Sequence, residues 1–151
     1  MFIPQPSGWQ RNTSLDSSLI RYVLTNPGLT ADAFAPNAVV TLEHIPGTDT
    51  SPKDVLEQQR RGLLSQTGAT DLEIKPSPTC GVTAEIVSYT QPAQGATASR
   101  PAKVLVTAAP FGGSTWSATV TVQAINADDP TYQQDASMIL TGFQMLPPGG
   151  S

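Results

Sequence analysis

The feature that most constrains the fold is a hairpin signal in the second half of the chain. Along residues 115–125, Trp116, Ala118, Val120, Val122 and Ala124 fall on one side, and Ser117, Thr119, Thr121 and Gln123 on the other. A period of two fits a strand, whose successive side chains point to opposite faces, and does not fit a helix. A second strand-forming run, residues 103–109, precedes it, and Gly112 and Gly113 separate the two. Strands joined by so short a turn pair antiparallel. The apolar face they share has to be covered by other elements.

The rest of the chain supplies those elements. Asn37–Ile45 alternates Val39, Thr41, Glu43 and Ile45 against Ala38, Val40, Leu42 and His44, then stops at Ile45-Pro46-Gly47. Residues 19–25 are rich in β-branched and aromatic types and end at Asn26-Pro27-Gly28, where Pro fixes φ and Gly accepts positive φ. A first strand is expected there, with a short helix from Leu15 as the alternative. Residues 70–75 set Leu72 and Ile74 against Asp71, Glu73 and Lys75, the pattern of a half-exposed strand, and residues 82–90 continue in kind. The Gly, Ala, Thr and Ser stretch 91–100 reads as a flexible hairpin loop.

Two helices are predicted. Ser51 as cap, Pro52 at the first position and Asp54 in the first turn open one from 52 to about 65, with Val55, Leu56, Leu63 and Leu64 facing inward. Asp129 and Pro130 open the other, in which Tyr132, Ala136, Ile139 and Phe143 recur at i, i+4, i+7 and i+11, the stripe of a helix laid on a sheet. At the start, Pro4, Pro6, Ser7 and Gly8 form an extended arm anchored by Trp9. The expected fold is α+β, an antiparallel sheet of about six strands flanked by helices. It forms one domain over residues 1–146, with 147–151 as a flexible tail.

Composition narrows the function. The 151 residues carry a net charge of -4, twelve acids against eight bases, and Arg60-Arg61 is the one basic pair. Nucleic acid, whose binding needs clustered cations to displace counterions, is excluded as a partner. No run approaches the roughly eighteen apolar residues of a spanning helix, and residues 1–8 lack a signal-peptide pattern, so the chain as given is expected to be soluble. The single Cys80 and single His44 offer too few ligands for a structural zinc. Cys80, in Pro-Thr-Cys-Gly, reads as a small buried side chain at the start of a strand. Asn12-Thr13-Ser14 matches the glycosylation acceptor pattern, and Asp128-Asp129 reads as helix capping. There is no phosphate-binding Gly-Lys-Ser/Thr loop and no Gly-X-Ser-X-Gly elbow. A non-enzymatic, monomeric protein without a cofactor is expected.

Candidate binding residues are of three kinds. Thr119 and Thr121, with Ser117 and Gln123, give an uncharged hydroxyl-rich face suited to sugar or lipid headgroups, or a plain solvated sheet face. Trp9, Phe34, Phe111 and Trp116 either line an apolar pocket or form ordinary core. Tyr132 and Ala136 lie on the last helix, the lid under which a ligand would sit.

The order of these parts resembles a family. Pro6-Ser7-Gly8-Trp9, Phe34-Ala35-Pro36-Asn37-Ala38-Val39-Val40 leading into a strand, the Pro52 helix, the long hairpin and Ile139-Leu140-Thr141-Gly142-Phe143 are similar to the LpqN/LpqT-type mycobacterial lipoproteins and their secreted proline-rich antigen relatives. The match spans about residues 4 to 146. The resemblance implies a PsbP-like α/β/α sandwich and an extracytoplasmic location, in the cell envelope or secreted. It also implies binding of envelope lipid or glycolipid in support of lipid trafficking, in company with a membrane lipid exporter, and no catalytic residues. The alternative is a scaffold that docks on an exporter or a host protein and holds no small ligand. Two departures stand out: the lipidated N-terminal cysteine of such lipoproteins is absent from the chain given, and Cys80-Gly81-Val82 replaces a Gly-Phe/Tyr-Pro-like turn.

Overall fold

The computed structural model describes residues 1–46, 50–77 and 82–145; Gly47, Cys80 and the tail 147–151 lie outside them. The strands are β1 (Gln10–Arg11), β2 (Ile20–Thr25), β3 (Asn37–Ile45), β4 (Thr70–Pro76), β5 (Thr83–Gln91), β6 (Arg100–Phe111) and β7 (Ser114–Gln123). Among the described residues they form one antiparallel sheet in the order β1-β2-β3-β7-β6-β5-β4. Helices α1 (Pro52–Thr67) and α2 (Pro130–Gly142) cover opposite faces, so the fold is the expected α/β/α sandwich.

The hairpin of β6 and β7 is the centre of the sheet. Gly112 and Gly113 turn it with φ of 60 and 80°, a left-handed pair that suits the twist of the flanking strands. β3 then pairs with β7 over its full length, from Asn37↔Gln123 to Ile45↔Thr115. β6 is buried on both sides, with Val104, Val106 and Ala108 toward α1 and Leu105 and Ala109 toward α2. Double burial explains why 103–109 reads as a nearly continuous apolar run while residues 115–125 alternate.

Each helix is capped as its sequence dictates. Ser51 Oγ accepts from Asp54 N at 3.2 Å, and Asp129 Oδ1 accepts from Tyr132 N at 2.9 Å. α1 buries Val55 and Leu56 against Val87, Val104 and Val106. Leu64, expected on the inner side, is 53% exposed. It lies nine residues after Val55, roughly half a revolution further round a helix of 3.6 residues per turn. On the α2 side, Ile139 and Phe143 are fully buried, each contributing about 1.5–3 kcal/mol relative to exposure.

The structure sharpens two further boundaries. The sheet has a seventh strand, the two-residue β1, because the arm after Trp9 pairs Gln10 and Arg11 with Thr25 and Leu24. The hairpin loop is shorter than 91–100, since β5 runs to Gln91, β6 starts at Arg100, and a Gln94↔Thr97 bridge closes the turn.

The N-terminal arm clamps α2. The Trp9 indole donates to Asp135 Oδ2 at 2.9 Å, with both residues buried. Phe2 and Gln144 exchange two backbone hydrogen bonds of 2.9 Å. Between them Pro4 packs on Gly142, where an added Cβ would stand 2.5 Å from Pro4 Cγ. The Pro-Ser-Gly-Trp and Ile-Leu-Thr-Gly-Phe segments, 130 residues apart in sequence at Trp9 and Ile139, thus meet in one contact.

Candidate ligand groove

α2 packs most closely on β7 and leaves part of the same sheet face uncovered on β4, β5 and β6. The space between is an open groove of about 710 Å³. That volume falls within the roughly 300–1,000 Å³ of small-molecule sites. Strand register sets its floor: Glu73, Ser88 and Lys103 form one row across three strands, and Lys75 and Ile86 the next. α2 supplies the opposite wall with Tyr132, Ala136 and Leu140, and Ser137 and Thr141 add hydroxyls. The small Ala136 side chain keeps the wall shallow at its middle.

Tyr132 is the polar handle of that wall. It is 6% exposed, yet its hydroxyl makes no hydrogen bond among the described residues. Burial pushes its pKa well above the usual phenol value, so it stays a neutral donor and acceptor at any ordinary pH. The hydroxyl is not among the fully buried unpartnered atoms, so it is accessible from the groove, where water or a ligand can hydrogen-bond to it.

The eight residues proposed from sequence are scattered. Tyr132 and Ala136 line the groove. Trp9 lies in the core beneath the arm, bonded to Asp135. Phe34 follows a tight turn with Asp32 and Ala33 at φ of 48 and 61°, and the Arg100 guanidinium lies 4.8 Å from its ring centroid. Phe111 and Trp116 are half-buried at the glycine-turn end of the sheet, where Trp116 sits 4.6 Å from the exposed His44 ring. Thr119 and Thr121 face the α1 side, and the Thr119 hydroxyl is hydrogen-bonded to that of Thr41. Glu73, Lys75, Ile86, Ser88, Lys103 and Leu140 were not singled out. Alternation placed Glu73 and Lys75 on one face, but the register that sets them beside β5 and β6 is a long-range property.

The groove therefore offers apolar surface at Ile86, Tyr132, Ala136 and Leu140, hydroxyls, the Glu73 carboxylate and two ammonium groups. Among the described residues no group of three His, Cys, Asp or Glu side chains could hold a metal. On the α1 side, Arg60 Nε and Glu85 Oε2 lie 3.0 Å apart without the alignment of a hydrogen bond. Burial raises the Glu85 carboxyl above its usual range, and Arg60 opposes part of that rise.

No family profile matches the chain, and no curated protein matches it in sequence. Solved structures do. LpqN of Mycobacterium tuberculosis, involved in cell envelope biogenesis, matches with a TM-score of 0.75 at 17% identity, over 92% of this chain and 79% of that one. PA94 of Pseudomonas aeruginosa, a protein of unknown function, matches with a TM-score of 0.63 at 12% identity, over 93% of this chain and 99% of that one. At such identities the likeness is one of fold.

Proposed function

We propose that this chain is a non-catalytic, extracytoplasmic protein of the cell envelope that holds lipid or glycolipid between α2 and strands β4–β6 and supports envelope lipid trafficking. The observation that carries the reading is the groove, with apolar surface at Ile86, Ala136 and Leu140 and the Tyr132 hydroxyl left without a protein partner among the described residues. The fold shared with an envelope-biogenesis protein supports it. No described helix is long and apolar enough to cross a membrane.

Native mass spectrometry after exposure to an envelope lipid extract tests the reading. Wild type should retain an amphiphile and Ala136→Trp, whose indole fills the groove, should not. Overpacking there costs roughly 1–3 kcal/mol, so the variant should remain folded. Retention by Ala136→Trp would place the site elsewhere.

A second reading, docking on an exporter or a host protein, rests on the α1 face. α1 packs chiefly on β5 and β6, while Thr41, Thr119 and Thr121 on the same face stay half-buried. Capture of a purified exporter domain should then fail with Thr119→Arg/Thr121→Arg. Unchanged capture would reject that face.

A further inference from the structure

The groove sits in an acidic protein, yet two of the chain's three lysines line it: Lys75 and Lys103, with Lys53 elsewhere. The ion pairs formed among the described residues use Arg11, Arg60 and Arg61, and neither groove lysine lies within ion-pair distance of a described carboxylate. Strands are spaced about 4.8 Å apart, so β4 and β6 stand roughly 10 Å from one another across β5. From these register positions the long, flexible lysine stems can carry both ammonium groups toward Ile86 and Ser88. Two like charges facing one groove repel each other when it is empty, and an anion placed between them relieves that repulsion. Glu73 lines the same rim, across Ser88 from Lys103, so the local balance is a single net positive charge.

Resting on the groove reading above, we infer that the ligand is a single-chain lipid whose head carries one negative charge, as a long-chain carboxylate does. The tail lies on Ile86, Ala136 and Leu140, and the head sits between Lys75 and Lys103. A phosphate monoester, with about -1.5 to -2 charges at neutral pH, brings its second charge against Glu73 and gains nothing over a carboxylate.

The test is binding of laurate, dodecyl phosphate and dodecyl maltoside, each below its micelle concentration, by displacement of a fluorescent amphiphile. At low salt, wild type should prefer laurate to the maltoside about tenfold, the size expected from two partly exposed charge pairs. The preference should shrink in about 0.5 M salt, where charges are screened within a few ångströms. Lys75→Gln/Lys103→Gln leaves the Glu73 carboxylate as the rim's one charge, so the preference for laurate should be lost or reversed. Equal affinities in wild type would overturn the anionic inference and leave the groove reading standing. A preference that survives the double substitution would overturn the assignment to these lysines, and a clear preference for dodecyl phosphate over laurate would overturn the single charge. Failure to bind all three ligands would sink the groove reading and this inference with it.

Discussion

The contact between Trp9 and Asp135 makes a quantitative demand on the arm that clamps α2. Asp135 is 8% exposed and its Oδ2 accepts the Trp9 indole N–H at 2.9 Å. Trp9→Phe keeps an aromatic ring in the core and removes that donor, leaving a buried carboxylate without its partner. Losing a hydrogen bond to a charged group is worth about 1.5–3 kcal/mol, and the smaller ring adds a little lost packing. For a chain of this length each kcal/mol lowers Tm by about 2–4 °C. Replacing both partners with apolar groups of similar shape can be nearly neutral. Asp135→Leu should therefore destabilise wild type, yet recover at least about 1 kcal/mol in the Trp9→Phe background. Urea unfolding followed by far-ultraviolet circular dichroism measures all four corners of the cycle. If Asp135→Leu costs as much in the Trp9→Phe background as in wild type, the two residues are not coupled and the clamp is wrongly described.

Other perturbations test other parts of the structure. Gly142→Ala places a methyl 2.5 Å from Pro4 Cγ and should cost about 1–3 kcal/mol in urea melts, with Pro4→Ala restoring much of the loss; additive effects would refute the contact. Ser117 is 1% exposed with an Oγ that has no hydrogen-bond partner among the described residues, so Ser117→Ala should stabilise by up to about 1–3 kcal/mol, and a loss of stability would show a missed partner. Burial holds the Glu85 carboxyl above its ordinary value of 4.5, so the folded state binds that proton more tightly than the unfolded one. Its contribution to stability then falls as pH rises from about 4.5 through the folded value, and Glu85→Gln should remove that part of the slope in melts from about pH 4.5 to 7. An identical slope in wild type and variant would contradict the assignment.

Local chemistry made the elements legible, and long-range register hid the groove. The caps at Ser51 and Asp129, the turn at Gly112-Gly113 and the alternation of Asn37–Ile45 each follow from neighbours in sequence, and each stands where its residues place it. β1 was not legible because two residues carry no period, and its pairing depends on where Trp9 is anchored. Sequence leaves the aromatics open between one pocket and ordinary core because it reports residue type and not which end of a strand a ring occupies. Phe111 and Trp116 lie at the glycine-turn end, whereas Phe34 lies by Arg100, which pairs with Gln91 at the opposite end of β6. Tyr132 and Ala136 reached the groove because helical periodicity fixes a face, and that face lies on the sheet.

The central claim is that the ligand lies between α2 and β4–β6, and backbone amide chemical-shift mapping during titration with dodecyl maltoside below its micelle concentration tests it most directly. The account predicts perturbations concentrated on Ile86, Ser88, Lys103, Ala136 and Leu140. Perturbations centred instead on Thr41, Thr119 and Thr121, or on Phe111 and Trp116, would contradict it.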